Sequence, residues 1–280
     1  MKILCIFRAH QFSPSSIERD AQILQTIVKL LQEASHDVIC CTEEELSAFV
    51  ELNNWDFIVS MARSEEALQM LAQAEKNGLR IFNSPSALLK SDRVNLTKRF
   101  LEHLIPIPTT IIVDHPHKVG LKPPYWIKKG GAGAKTKDDV IFIKNEEDIS
   151  TLPNTPQQCI AVSHTEGDLI KFYGVVGTDF FHYHYPTAQI DAFSKFGLEN
   201  INGTPTFYQF DLESLKAIAL NAAKVSGFDI YGGDAIITAD GQIELIDFND
   251  FPSFANCRAA AAEAVVQLIN LYGKQPANNA

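Results

Sequence analysis

The sequence lacks any stretch that could enter or cross a membrane. The apolar run ILCIF, between Lys2 and Arg8, is too short for the core of a signal peptide. No other apolar run approaches the length of a membrane span. We therefore expect no membrane partner and a cytoplasmic protein.

Basic residues are also few. The chain has 24 Lys and Arg against 34 Asp and Glu, which gives a formal net charge of -10 at pH 7. A general nucleic-acid binder would show a basic excess or a basic stripe, so we expect no nucleic-acid partner. Any anionic ligand must then be bound by locally placed Lys or Arg.

Cysteine is sparse and irregularly spaced. The five cysteines are odd in number and contain no Cys-x-x-Cys spacing. Neither a disulfide framework nor a zinc knuckle is indicated, and a reducing cytoplasm fits.

What the chain does contain, from its start, is an alternation of short apolar strands and helical patterns. The segments KILCIF, DVICC, DFIVSM and RIF are almost entirely apolar, as strands buried on both faces are. Residues 15–33 and 64–76 carry apolar side chains at helical spacing. This alternation predicts a βαβ-type domain with a parallel sheet over residues 1–83.

Polar residues stand at the carboxyl ends of two of these strands. Arg8 and His10 follow the first strand, and Arg63 and Ser64 follow DFIVSM. Ligands of open parallel sheets bind beyond the carboxyl ends, so these four residues are candidates for a substrate pocket; a solvated loop and a helix start are the alternatives. No G-x-G-x-x-G follows the first strand, which argues against a Rossmann dinucleotide site.

The most informative stretch is FDIYGGDAIITADGQIELIDFNDFPSF, which reads as two strands joined at Asp240-Gly241. A two-residue loop there places Asp234 directly opposite Asp247, with Asn249 on the same face. Opposed carboxylates destabilise a sheet unless a cation lies between them. An all-oxygen set favours Mg²⁺ or Mn²⁺ over zinc, so these three residues are the predicted metal ligands.

The same register also predicts the neighbouring pairs. It sets Ile236 opposite Leu245 and Thr238 opposite Ile243, so that the acids would extend an apolar face. A three-residue turn is the alternative, because it would shift the register and separate the acids, leaving them as capping residues.

The segment ELIDFNDFP resembles the signature of the ATP-grasp family, in which an acidic residue, a spacer, an Asn and a nearby Pro follow a Gly-Gly-Asp strand. The resemblance implies that Asp234, Asp247 and Asn249 hold magnesium ions that bridge ATP phosphates. Where the family often has Pro-Gly, this chain has Pro252-Ser253, outside the implied ligand set.

Three further segments resemble nucleotide-binding parts of that family. LLKSDRVNLTKRFLEHLIPIPTTIIV implies a phosphate contact for Arg93, and DLIKFYGVVG implies one for Lys171. PPYWIKKGGAGAKTKDDVIFIKN reads as strand, glycine loop and strand. Its Gly131 and Gly133 would let backbone N–H groups approach phosphate. The strand lysine that would contact phosphate is Lys128, or Lys129 if the register slips by one.

The resemblance implies an α+β fold: an ATP-grasp domain preceded by a βαβ, Rossmann-like pre-ATP-grasp domain. We expect the first domain over 1–83 and the ATP-grasp domain over 84–280. Within the latter, a lid lobe would span about 118–160 and a metal-binding lobe about 161–280. ATP and Mg²⁺ (or Mn²⁺) are the expected cofactors.

The implied activity is that of a ligase, which activates a carboxylate as an acyl phosphate for attack by an amine of a small molecule or short peptide. An ATP-grasp kinase acting on a polyol or inositol phosphate is the alternative, and a nucleotide-binding protein without catalysis is a second one. No Arg lies between Lys171 and Asn256, so Arg63 and Arg258 are the candidates for the catalytic arginine beside the acyl phosphate. His182 and His184 indicate aromatic packing rather than a two-histidine metal site. The sequence does not fix the oligomeric state.

Overall fold

The computed structural model describes residues 1–13, 17–49, 51–131, 139–186 and 198–273. Its strands are β1 (Lys2–Phe7), β2 (Asp37–Thr42), β3 (Phe57–Ser60), β4 (Arg80–Phe82), β5 (Thr110–Val113), β6 (Tyr125–Lys129), β7 (Val140–Ile143), β8 (Cys159–Ser163), β9 (Asp168–Val175), β10 (Phe181–His184), β11 (Ile230–Ile237) and β12 (Ile243–Asp250). Its α-helices are α1 (Ile17–Glu33), α2 (Glu65–Lys76), α3 (Pro85–Leu88), α4 (Arg93–Glu102), α5 (Leu212–Ser226) and α6 (Arg258–Gly273). No helix among these is both long enough and apolar enough to span a bilayer.

The first sheet is parallel, with the order β2-β1-β3-β4, as the sequence predicts. Successive side chains of each strand point to opposite faces of the sheet. Helices cover both faces. Ile3 and Cys5 pack with α1 and α6, whereas Leu4 and Ile6 pack with α2. The acidic segment after Thr42 forms a 3-10 turn, Glu43–Ala48, which a Thr42–Glu45 capping box begins.

The second sheet is antiparallel, with the order β5-β8-β6-β7. Its core is small and consists of Tyr125, Ile127, Ile143, Leu152, Cys159 and Ala161. This sheet contains the described strands of the segment predicted as a lid lobe, 118–160.

The third sheet is antiparallel, with the order β10-β9-β11-β12. One of its faces packs on α4 and α5 through apolar side chains that include Ile170, Phe172, Ala235, Ile237, Leu245 and Phe248. The helix α6 follows β12 and packs back on α1, so the first and third sheets share one apolar core. The opposite face carries polar side chains in its middle, between the apolar pairs Ile230–Val175 and Ile236–Leu169.

The turn of the β11–β12 hairpin differs from the prediction. The loop has three residues, because Thr238 N–H donates to Gln242 O at 3.0 Å and Gly241 N–H donates to Thr238 O at 2.9 Å. Gly241 takes a φ of +81°, the left-handed conformation that such a loop needs. As a result Ile236 pairs with Glu244 and Ile237 with Ile243, so the predicted pairs Ile236–Leu245 and Thr238–Ile243 are wrong.

A β-bulge then restores the predicted pairing of the acids. Ala235 pairs with Leu245 but Asp234 pairs with Asp247, which leaves Ile246 as the extra residue of β12. The bulge compensates for the longer loop, and the predicted opposition of Asp234 and Asp247 is confirmed. The bulge also changes the face on which the acids lie relative to Leu245. Leu245 packs in the core with Ala235, whereas Asp234 and Asp247 lie on the opposite side of the sheet. The prediction that the acids extend the apolar face of Leu245 is therefore wrong.

Candidate functional site

Two rows of side chains cross the polar face of the third sheet, because directly paired residues of antiparallel strands point to the same side. Running from β10 to β12, the first row is His184, Lys171, Asp234 and Asp247. The second row is His182, Tyr173, Gly232 and Asn249. A side chain at Gly232 would come within 2.7 Å of the Tyr173 ring and 2.9 Å of Pro252, so glycine is required there.

The predicted metal ligands lie together in these rows. Asp234 and Asp247 are opposed, and Asn249 Nδ2 donates to Asp247 Oδ2 at 2.9 Å. Lys171 Nζ lies 3.1 Å from Asp234 Oδ2, so an ammonium group already offsets part of the repulsion. Rotation of the Asn249 amide would exchange its nitrogen for its oxygen, giving two carboxylates and an amide oxygen. This donor set fits a hard divalent cation such as Mg²⁺.

The part of the chain that the structure describes contains no zinc-type site as an alternative to these ligands. No group of three or more His, Cys, Asp and Glu side chains comes together there in a metal-binding arrangement. The His182–His184 pair, for which the sequence favours aromatic packing, stacks on Tyr173 at ring-centroid distances of 6.3 and 5.8 Å.

Lys128 reaches this site from the second sheet. Its Nζ donates to the carbonyl of Ile246, the bulged residue, at 2.6 Å. Lys129 is exposed and pairs with Asp139 at 3.4 Å. Of the two lysines left open by the sequence, the structure therefore directs Lys128 towards the acids and Lys129 away from them.

Electrostatics couple Lys128 to the acids. Burial lowers the pKa of Lys128 despite the opposing effects of Asp247 and Asp234. Burial by itself would raise the pKa of Asp247, but Lys128 and Arg93, with the Asn249 hydrogen bond, outweigh it and hold the pKa below its usual value. Asp247 is consequently ionised at neutral pH and available to a cation.

Arg93 is the first residue of α4 and closes one side of the same site. Its guanidinium donates to the carbonyl of Lys129, and the N–H of Val94 donates to Gly130 O at 3.4 Å. A Cβ at Gly130 would lie 2.7 Å from Gln158 O and 2.9 Å from Val94, so only glycine allows this contact. The start of α4 therefore packs against the base of the glycine loop.

A cleft opens between the second sheet, α4 and β12. It is lined by Arg93, Lys128, Ile160, Val162, Ile246 and Asp247, among others. Its apolar wall thus borders two cations and a carboxylate. A Cβ built on Gly131 meets nothing within 4 Å, so backbone could be approached there, whereas Gly133 lies outside the described residues.

The two N-terminal arginines bind the end of β12 to the first sheet. The Arg63 guanidinium forms an ion pair with Asp250 and a 3.3 Å hydrogen bond to its carbonyl. Arg8 pairs with Asp20 at 3.1 Å and donates to Phe251 O at 3.2 Å, and burial lowers its pKa to about 10. Of the four predicted pocket residues, the two arginines therefore already have internal partners.

Glu43 is a residue of this region that the sequence prediction missed. Its carboxylate accepts the backbone N–H of Ala9 at 3.0 Å, that of Arg63 at 2.9 Å and that of Ser64. It occupies the amides at the carboxyl ends of β1 and β3, where an anionic ligand would otherwise bind. Ser64 is the N-cap of α2, which agrees with the helix start that the sequence left as an alternative to a pocket role. The run of acids after Thr42 is the sequence signal that could have pointed to Glu43.

Arg258 is less directly connected to the site. It is the first residue of α6 and is half-buried, and its Nε is enclosed without a hydrogen-bond partner in the described part of the chain. Its neighbour Cys257 lies close enough to Tyr173 to contribute to the raised pKa of that phenol.

Comparison with solved structures identifies the fold. An ATP-grasp RimK-domain protein from Sphaerobacter thermophilus superposes with a TM-score of 0.64 at 12% identity, over 94% of this chain and 99% of that one. D-alanine–D-alanine ligase from Bacillus anthracis, in complex with ATP, gives 0.61 at 12% identity over 98% and 100%. N5-carboxyaminoimidazole ribonucleotide synthetase from Thermotoga maritima gives 0.60 at 14% over 89% and 68%.

The comparisons by sequence found no counterpart: no family model and no curated protein matches the chain. The structural likeness nevertheless extends over nearly the whole chain, and the neighbours are ATP-grasp proteins. The protein therefore has the ATP-grasp fold, an α+β fold with a parallel sheet at its N-terminus, as predicted.

Proposed function

We propose that this ATP-grasp protein is an ATP- and Mg²⁺-dependent ligase that activates a carboxylate for attack by an amine. The observation that carries the proposal is the opposition of Asp234 and Asp247 beside Lys171, next to a cleft that Asp247 and Lys128 line. Two of the structural neighbours are named as a synthetase and a ligase, and the ligase was solved in complex with ATP.

In this proposal the cleft widens to hold ATP, since its volume of about 60 Å³ in this structure is well below that of ligand pockets. The apolar side chains of Ile160 and Val162 face the base, while Arg93 and Lys128 bind phosphate oxygens. Lys128 would exchange its bond to the Ile246 carbonyl for one to phosphate, which a mobile ammonium group can do without reorienting its strand. Gly131 and Gly133 would let backbone approach the phosphates.

Asp234, Asp247 and Asn249 would hold Mg²⁺. A divalent ion bound there neutralises phosphate charge and polarises the phosphoryl group. Lys171 lies next to Asp234. It would bind oxygen atoms of the transferred phosphoryl group from the side opposite to Lys128. Catalysis then consists of positioning, charge neutralisation and exclusion of water.

The reaction has two steps. An oxygen of the acceptor carboxylate attacks the γ-phosphorus, the bond to the β-phosphate oxygen breaks, and ADP leaves. The acyl phosphate is then attacked by an amine, which loses a proton as phosphate departs. Arg63 and Arg258 remain the proposed carboxylate anchors. For Arg63 this requires release from Asp250.

A hydroxyl acceptor is the alternative, and a nucleotide-binding protein without catalysis is the second. A kinase for polyol phosphates needs several uncommitted cations at its acceptor site. At the end of β12, Arg8 is held by Asp20 and Arg63 by Asp250, so release of Arg63 would supply one cation there and not several. One cation suits a single carboxylate better than a polyol phosphate.

The experiment that separates these alternatives is a hydroxylamine trap. The protein is incubated with ATP, Mg²⁺ and a panel of amino acids and short peptides, with hydroxylamine in place of the natural amine. A ligase yields a hydroxamate, because hydroxylamine captures an acyl phosphate. Absence of hydroxamate together with transfer of γ-phosphate label to a polyol would establish the kinase instead.

A further inference from the structure

The row that contains the acids continues beyond Lys171 onto β10, where it ends at His184. The cleft borders the other end of this row, since Asp247 and Ile246 of β12 line it. Adjacent strands are about 4.8 Å apart, so His184 lies roughly 10 Å from the Asp234 strand and one strand beyond Lys171. Going away from the cleft, the order is therefore Asp247, Asp234, Lys171 and His184.

This order assigns the β10 end to the acceptor. If the nucleotide enters from the cleft and its last phosphate lies over Asp234 and Lys171, the group that attacks this phosphate must come from the far side. An attacking atom approaches to about 3 to 3.5 Å in line with the bond that breaks. In the sheet, the strand on that side is β10, which places His184 beside Lys171 and His182 beside Tyr173.

Packing fixes both imidazole rings. Tyr173 stacks on His184 with an interplanar angle of 25° and on His182 with one of 10°, and the two imidazole centroids are 5.8 Å apart. His184 Nδ1 and His182 Nε2 are enclosed and have no hydrogen-bond partner in the described part of the chain. Both side chains nevertheless remain partly accessible.

These enclosed nitrogens determine the tautomers. Burial lowers the pKa of His182, and burial with the neighbouring His182 and Lys171 lowers the pKa of His184 to about 4, so both rings are neutral at pH 7. A neutral imidazole has one N–H and one bare nitrogen. An enclosed N–H without an acceptor is the rarer arrangement in folded proteins, so the protons reside on His184 Nε2 and His182 Nδ1.

We propose that His184 Nε2–H and His182 Nδ1–H form the acceptor subsite and donate hydrogen bonds to a carboxylate. This inference rests on the proposed function and specifies its substrate class. Two N–H donors beside the Lys171 ammonium stabilise an anionic acceptor. A hydroxyl acceptor would instead need a base to take its proton, and neither imidazole offers a bare nitrogen on its accessible side.

The test uses the full chain labelled with ¹⁵N-histidine, and long-range ¹H–¹⁵N spectra that distinguish the two tautomers. Mg²⁺ and a non-hydrolysable ATP analogue are added first, and their binding is measured separately by calorimetry. Acetate and L-alanine are then titrated as carboxylate probes, and glycerol and myo-inositol as hydroxyl probes. We expect the carboxylates alone to shift His184 Nε2 and His182 Nδ1, while the His36 signals stay unchanged.

The outcomes are distinguishable. Shifts caused by polyols, or no shift with either class while the nucleotide binds, would overturn the subsite. Carboxylate shifts without nucleotide binding would instead contradict the proposed function and leave the subsite standing. Protons found on His184 Nδ1 and His182 Nε2 would also overturn the inference.

A pair of variants removes and retains the donor. His184→Leu lacks an N–H, whereas the amide of His184→Gln places one near the position of Nε2–H. We expect His184→Leu to weaken acetate binding, read from the His182 signal, by about tenfold, as loss of a hydrogen bond to a charged group does. His184→Gln should stay within about threefold of the wild type. Equal losses in both, with folding verified by near-UV circular dichroism, would contradict a donor role, as would a fall in nucleotide affinity.

Discussion

Lys128 Nζ donates to the carbonyl of Ile246, and Ile246 is the bulged residue that brings Asp247 opposite Asp234. A lysine of the second sheet is thus bound to the irregularity of the third sheet that forms the acidic pair. The same ammonium group is the strongest of the interactions that lower the pKa of Asp247. The two sheets and the acids therefore form one electrostatic unit.

Replacement of Lys128 tests this unit. Lys128→Met keeps most of the side-chain length but removes the charge, so we expect affinity for Mg²⁺·ATP to fall by roughly tenfold to a hundredfold, because a charged hydrogen bond is lost. Calorimetry measures the change. Lys129→Met is the matched control, since Lys129 is exposed and pairs with Asp139, and it should bind as the wild type does.

The stability of Lys128→Met should also depend on pH. A carboxyl whose pKa is lowered in the folded state adds stability above its unfolded pKa of about 4, and this stability is lost as pH falls through the folded value. Without Lys128 the pKa of Asp247 rises, so the variant loses part of this contribution. The difference in Tm between wild type and variant should be larger at pH 7 than at pH 3. A difference independent of pH would show that the ammonium group does not act through Asp247.

The Arg63–Asp250 pair provides a test of the junction between the first sheet and β12. Asp250 is 5% exposed, so Arg63→Ala leaves a buried carboxylate unpaired. We expect a loss of about 2 kcal/mol in the free energy of unfolding. This is less than the cost of breaking a fully buried ion pair, because the Arg63 side chain is 29% exposed and solvent screens its charge. Chemical denaturation measures this loss. His10→Ala, at an exposed position, is the control, and its free energy of unfolding should differ from that of the wild type by less than about 0.5 kcal/mol.

Arg63→Lys then separates this structural role from the proposed anchor role. Lysine retains the charge and should preserve much of the stability, but it cannot make a forked contact with a carboxylate. Reduced turnover in a stable Arg63→Lys variant would support an anchor, and unchanged turnover would assign Arg63 to the junction alone.

The second sheet should become more protected from hydrogen exchange when nucleotide binds. Its apolar core is small, and the contact of its glycine loop with α4 depends on a 3.4 Å hydrogen bond from Val94 to Gly130. Peptides covering 125–131 should exchange more slowly with Mg²⁺ and an ATP analogue, because the lid predicted over about 118–160 would close. Peptides covering β1 serve as the internal control. Unchanged protection across 125–131 would argue against a lid that covers phosphate.

Parts of the fold could be predicted because their signals are local. Apolar strands buried on both faces predict the parallel first sheet, and Asp-Gly between two alternating strands predicts the hairpin. The opposition of Asp234 and Asp247 was predicted from a two-residue turn that the structure does not have. The longer turn and the bulge at Ile246 offset each other, and neither has an unambiguous sequence signal.

The features that could not be predicted depend on distant segments. Glu43 accepts amides from two other strand ends, and Arg63 pairs with Asp250, 187 positions away in the chain. The position of Lys128 rather than Lys129 beside the acids follows from the register of the second sheet and its contact with β12. Such partners are specified by the assembled fold and not by local spacing.

The dependence of nucleotide binding on Mg²⁺ through Asp247 tests the central claim most directly. Binding of a non-hydrolysable ATP analogue is measured by calorimetry with and without Mg²⁺, for the wild type, for Asp247→Asn and for Asp240→Asn, a control that removes an exposed acid of the same hairpin. The account predicts that Mg²⁺ enhances binding to the wild type and to Asp240→Asn by about tenfold or more, and that Asp247→Asn loses this enhancement while remaining folded. A folded Asp247→Asn variant that keeps the full enhancement by Mg²⁺ would contradict the account.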